Sequence, residues 1–128
     1  MIQNPLFGVG DLLVCQKALG FFNHVGVGVG PNKVLHNAPG KGEHISTVKE
    51  FSNGQPVEVR HTGADSIAVL GRTRKTLANP QKYNVVFRNC QHTASEIISG
   101  VARSPFEVAC IVIGVIVVAV VFLSPKRS

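Results

Sequence analysis

Residues 24–30 read His-Val-Gly-Val-Gly-Val-Gly, and a period of two kept this strictly is the signature of an extended strand. Val25, Val27 and Val29 take one face; His24, Gly26, Gly28 and Gly30 take the other. Gly30-Pro31-Asn32 supplies a turn, and Lys33-Val34-Leu35-His36-Asn37 returns as a second strand. A turn centred near Pro31 allows an even register, which puts His24 and His36 on one face and directs the valines to the core. Three glycines weaken a strand, so the compensating feature is expected to be close approach of a large group to the backbone. A bound substrate or a helix carrying Cys90 would serve.

That helix is the second constraint. Tyr83 to Phe87 is β-prone, and Ala94, Ile97, Ile98 and Val101 then recur at the spacing of one helix face. The reading is a strand over Tyr83–Phe87 and a helix from Cys90 to about Ala102, with Cys90 in its first turn. Unpaired backbone N–H groups and the positive end of the helix dipole favour a thiolate there. A nucleophilic thiol also needs a base. His24 could accept the Cys90 proton, and His36 on the neighbouring strand could orient the His24 ring. His92 follows Cys90 within one helical turn and could not comfortably face it, so it is read as structural or as part of a substrate rim. His44 and His61 are read as lacking partners, and Ser46, Ser66 and Ser95 as having no paired base.

Elsewhere the pattern is that of a small mixed domain. Leu12–Cys15 reads as a buried strand, Asn37–Gly42 as a loop, and Pro56–His61 as a strand. Thr47 to Glu50 has capping-box spacing and opens a short helix ending at Gly54. Asp65 introduces a helix over about Ser66–Leu77, with Ile67, Leu70 and Leu77 on its apolar side, and Asn79-Pro80 stops it.

Val108 to Leu123 is sixteen residues without a charge, apolar on all sides and rich in β-branched residues. A spanning helix wants roughly 20 apolar residues and at least about 17, so a helix over about 106–123 can cross if the bilayer thins or Glu107 snorkels. The chain is read as a 1–103 domain followed by a 104–128 single-pass C-terminal anchor with a short basic tail. No secretory signal pattern is evident at Met1–Pro5. Cys15, Cys90 and Cys110 are an odd, widely spaced set, which argues against a disulfide framework. Both points place the catalytic domain on the cytosolic side.

The 128 residues include 13 Lys+Arg against 7 Asp+Glu, a formal charge of +6. That balance suits an anionic membrane surface. Nucleic acid is not expected as a partner, because the basic residues are scattered, Trp is absent and no binding motif occurs. Zinc spacing and carboxylate pairs are also missing, so neither a metal nor a cofactor is expected.

His24–Gly30 followed by Val34-Leu35-His36-Asn37-Ala38-Pro39, with Tyr83-Asn84 and Asn89-Cys90-Gln91-His92 further on, resembles the two sequence blocks of the lecithin:retinol acyltransferase-like family. Gly10–Leu13 is similar to the strand that opens that domain, and Val48–Phe51 to the short helix between the blocks. The resemblance spans about residues 8–103. It implies an α+β, circularly permuted papain-like (NlpC-like) domain, with an antiparallel sheet packed on the Cys-bearing helix. It also implies Cys90 as nucleophile, His24 as base and His36 as third member. The expected substrate is a glycerophospholipid, whose acyl group passes through a thioester to water, an amine or an alcohol. A C-terminal membrane helix matches the phospholipase A/acyltransferase members. The Cys90 backbone N–H is the expected oxyanion donor.

Three positions depart from the family pattern: Gln91 for its Glu, Thr93 for an aromatic, and Gly28 for an aromatic four residues after the first histidine. They bear on substrate choice more than on the nucleophile. Two other readings are a thiol amidase or peptidase of the wider permuted papain-like group, and a non-catalytic membrane-anchored interaction protein.

Overall fold

A computed structural model describes residues 5–16, 23–84 and 88–103. The valine–glycine run forms β2 (Asn23–Gly30), preceded by β1 (Leu12–Gln16) and followed by β3 (Lys33–Ala38). β4 (Gly42–Ser46), α1 (Val48–Ser52), β5 (Val57–Arg60), α2 (Ser66–Ala78) and α3 (Cys90–Ser99) complete the order. The five strands make one antiparallel sheet in the order β4-β3-β2-β1-β5.

The even register of the β2–β3 hairpin is present. Val27 pairs with Leu35 and Gly28 with Val34, and the register shifts between Gly28 and Gly30 before the Pro31–Asn32 turn. Asn32 takes the left-handed conformation that asparagine tolerates (φ 51°), and its side chain accepts from the Val48 amide at 3.1 Å. The turn is thereby tied to the start of α1.

Period-two alternation divides the core into two layers. Val14, Val25, Val27, Val29 and Leu35 pack with Val69, Cys90, Ala94 and Ile97 from α2 and α3. Leu13, Cys15 and Val34 point the other way, onto Val48 and Phe51 of α1. The valines therefore face the Cys helix, and the glycines face α1.

That arrangement corrects the expectation about the glycines. A Cβ on Gly26 would lie 2.5 Å from Val34 Cγ1 and 3.0 Å from Phe51 Cε2. One on Gly28 would lie 2.5 Å from Phe7 Cδ2 and 2.7 Å from the Gly8 oxygen. Close approach is the reason for these glycines, but α1 and the N-terminal segment approach them, not the Cys90 helix.

Other boundaries differ in instructive ways. β4 falls partly in the expected loop and partly in the unassigned residues after it; its sequence, Gly-Glu-His-Ile-Ser, has too few apolar positions to show a period. α2 presents Val69, Thr73 and Thr76 to the core, while Ile67 is 80 % exposed. Thr73 is accommodated because its Oγ1 donates to the Val69 carbonyl at 2.8 Å, within the helix itself. α3 ends at Ser99, earlier than expected, because Gly100 caps it at φ 82° and donates its N–H to the Glu96 carbonyl. Asn84 and Arg88 pair with each other instead of joining the sheet; Val85–Phe87 of the expected strand lies outside the described residues. The expected anchor, with Cys110, also lies outside them. Among the described residues no helix is long and apolar enough to cross a membrane.

Candidate active site

Asn89 sets the position of the thiol. Its side-chain oxygen accepts from the Gln91 amide at 2.9 Å and the His92 amide at 3.2 Å. Its own amide donates to His92 Nδ1 at 3.1 Å, which closes a capping box with histidine in the place usually held by Glu or Gln. Cys90 is then the first residue of α3, amid the backbone N–H groups of the first turn. His92 is 1 % exposed and holds the cap. The structural half of its expected role fits; a place on a substrate rim does not.

Cys90 is buried, with Sγ 3.9 Å from the carbonyl oxygen of Asn23, the residue before His24. α3 therefore delivers the thiol to the first residues of β2. On that strand the His24 ring is buried, with Nε2 2.9 Å from His36 Nδ1. The three residues picked out in the sequence come from three elements, and the fold draws them to one end of the β2–β3 hairpin.

Among the described residues, four further side chains surround this group. Phe51 of α1 stacks on His24 at 4.8 Å and 28°, and meets His36 edge-on at 5.2 Å and 80°. His44 lies across the strands from His36, ring centroids 4.3 Å apart, with Nδ1 donating to the Gly42 carbonyl. Ser46 Oγ is 2.8 Å from His36 Nε2. Tyr83 completes the set: its phenol pKa is raised, first by burial and then by the charge of Cys90. The expectations of no partner for His44 and no paired base for Ser46 are overturned by β4, which places both next to His36. His61, also expected to lack a partner, pairs with Asp11 at 3.0 Å.

Burial, followed by the charges of His24, His44 and Lys41, lowers the His36 pKa from 6.5 to about 3. His36 is thus neutral at physiological pH and able to accept a hydrogen bond from His24. An ion group fixes the thiol-bearing turn from below. Arg88 binds Glu96 of α3 and reaches Glu43 of β4 at 3.0 Å, and the Glu43 side chain is fully buried. Asn37 Nδ2 donates to the Arg88 carbonyl at 3.1 Å, and Glu43 accepts from the Gln81 amide at 2.8 Å. β3, β4 and α3 are thereby locked to the residue preceding Asn89. Among the described residues, no cluster of three His, Cys, Asp or Glu side chains could hold a metal ion.

A buried thiol at a helix start, beside a two-histidine hairpin in an antiparallel α+β domain, defines the class. The lecithin retinol acyltransferase family model matches residues 5–103, and the chain belongs to that family. No curated protein matches it. Membership points to acyltransferase or phospholipase-type chemistry in general.

Proposed function

We propose that the chain is a membrane-anchored phospholipase A/acyltransferase that works through an acyl-thioester on Cys90. The observation that carries this reading is the His24–His36 contact at the end of β2 where the Cys90 sulfur meets the Asn23 carbonyl. His24 takes the thiol proton, and the sulfur attacks the ester carbonyl of a glycerophospholipid. The oxyanion is held by the Cys90 backbone N–H. On collapse the C–O bond breaks, and His24 returns its proton to the departing lysophospholipid oxygen. Water, an amine or an alcohol then gives a proton to His24 and attacks the thioester. The C–S bond breaks, the departing thiolate takes the proton back from His24, and the enzyme is restored.

The apolar run Val108–Leu123 serves as the anchor, with the domain on the cytosolic side, and the net charge of +6 attracts anionic head groups. Holding the domain at the bilayer suits a substrate that is concentrated there.

The test is the intact mass of the full chain after exposure to phosphatidylcholine. One acyl group is expected on the protein, discharged by hydroxylamine and absent from Cys90→Ala. Acyl label retained in Cys90→Ala overturns the reading. Turnover of amide or peptide substrates with none of phospholipid would favour the amidase alternative.

A further inference from the structure

Ser46 ends β4, and its hydroxyl lies between two groups: His36 Nε2 at 2.8 Å and the Thr47 carbonyl oxygen at 3.0 Å. A hydroxyl has one proton to donate, and a carbonyl can only accept. Both contacts are hydrogen bonds at once only when the Ser46 proton points to Thr47 and its lone pairs face His36. His36 Nε2 then carries the ring proton and Nδ1 the lone pair. Because that Nδ1 lies 2.9 Å from His24 Nε2, His24 is protonated on Nε2 as well. Its basic nitrogen is Nδ1.

Two neutral imidazoles in contact do not define this direction by themselves. The reverse arrangement, with His36 Nδ1–H donating to His24 Nε2, makes an equally good hydrogen bond but places a proton on His24 Nδ1. A carboxylate or an amide oxygen as third member could only accept, and would remove the ambiguity. A histidine in that place needs a further group to do so.

We propose that Ser46 is a positioning residue that holds both His36 and His24 as Nε2–H tautomers, with the Thr47 carbonyl as the fixed end of the chain, so that His24 Nδ1 is the nitrogen available to the Cys90 thiol. The assignment rests on the thiol reading of the site given above. It also has a consequence for charge. When His24 takes the thiol proton at Nδ1, its Nε2–H already donates to His36, and no hydrogen bond has to be remade. Among the described residues, the groups around His36 are His24, His44, Lys41, Ser46 and Phe51, and none of these is an anion that would draw a second proton onto His36.

The experiment is long-range proton–nitrogen NMR of the full chain labelled with 15N-histidine near pH 8, which distinguishes Nδ1–H from Nε2–H rings. His24 and His36 are both expected as Nε2–H in the wild type. Ser46→Ala should bring Nδ1–H signal onto His24 and lower the rate of Cys90 alkylation by iodoacetamide by about 10- to 100-fold, part of the usual contribution of a general base. Ser46→Thr should restore both. An Nδ1–H ring at His24 or His36 in the wild type overturns the proposal, and needs no variant to fold. So does a slower Ser46→Ala protein in which both rings stay Nε2–H, since that is a packing effect alone. Tautomer and alkylation changing together, with no thioester formed from phospholipid, supports Ser46 and overturns the phospholipid reading instead.

Discussion

The Phe51 ring lies nearly parallel to the His24 imidazole, 4.8 Å between centroids and 28° apart. α1 supplies this ring because Thr47 caps the helix, its hydroxyl accepting from the Glu50 amide at 3.2 Å, while the Thr47 carbonyl takes the Phe51 amide. Gly26 leaves the space for it. Phe51→Ala should cost about 3–5 kcal/mol through the cavity it opens. Gly26→Ala should cost about 1–3 kcal/mol by overpacking. Urea unfolding measures both, and Cys90 alkylation should slow in each folded variant as the His24 ring loses its support.

His92 and His24 should separate cleanly in experiment. His92→Ala removes a capping-box partner and should lower stability by about 1 kcal/mol or more, since the site is buried. His92→Gln keeps an acceptor for the Asn89 amide and should be the milder change. His24→Ala should instead raise the pH at which Cys90 becomes reactive to iodoacetamide, a shift that His92→Gln should not produce.

Glu43 is the fully buried partner of Arg88, whereas Glu96 is about one-third exposed. Arg88→Ala leaves a buried carboxylate without its cation, and should destabilise by about 3–5 kcal/mol. Glu96→Gln should cost no more than about 1 kcal/mol. Replacing both Glu43 by Gln and Arg88 by Met should recover much of the loss, because the Gln81 amide keeps its acceptor and no charge stays buried. Thermal and urea unfolding of the four proteins tests the ordering.

Stability should fall in acid through His36. Its folded pKa of about 3 lies below the ordinary 6.5, so between those values the unfolded chain binds a proton that the folded chain does not. The contribution is complete above about pH 6.5 and is lost as pH drops toward about 3. It is on the order of a few kcal/mol. The urea midpoint should decline over that window, and the decline should flatten in His36→Asn if the variant folds.

Periodicity was most informative where it was longest. His24–Gly30 could only be a strand, and its even register with Lys33–Asn37 followed from a turn at Pro31. Cys90 at a helix start followed from the β-prone run before it and the apolar spacing after it. The α2 face was misread because Ile67, Leu70 and Leu77 are apolar, yet the inward positions are Val69, Thr73 and Thr76. Threonine can face a core when its hydroxyl bonds within its own helix, and hydrophobicity alone gives no hint of that.

The surroundings of the histidines were not legible for a different reason. Ser46 and His44 stand near His36 only because β4 pairs with β3, matching Val34 with Ser46 and His36 with His44. A five-residue polar strand has no periodic signal of its own, and its place is decided by the edge it completes. Phe51 was visible as an apolar residue of a short helix, but nothing local says which ring it covers.

The sequence by itself determined the strand that carries His24, the turn that returns His36, and the helix start that carries Cys90. Each of these is a matter of backbone preference over a few neighbouring residues. Only the tertiary structure decided that Cys90 meets β2 at Asn23, that Phe51 and not α3 fills the space left by Gly26, and that Ser46 reaches His36. Those are contacts between residues far apart in the chain, and they exist because sheet order and the two packed layers bring together side chains that no local period connects.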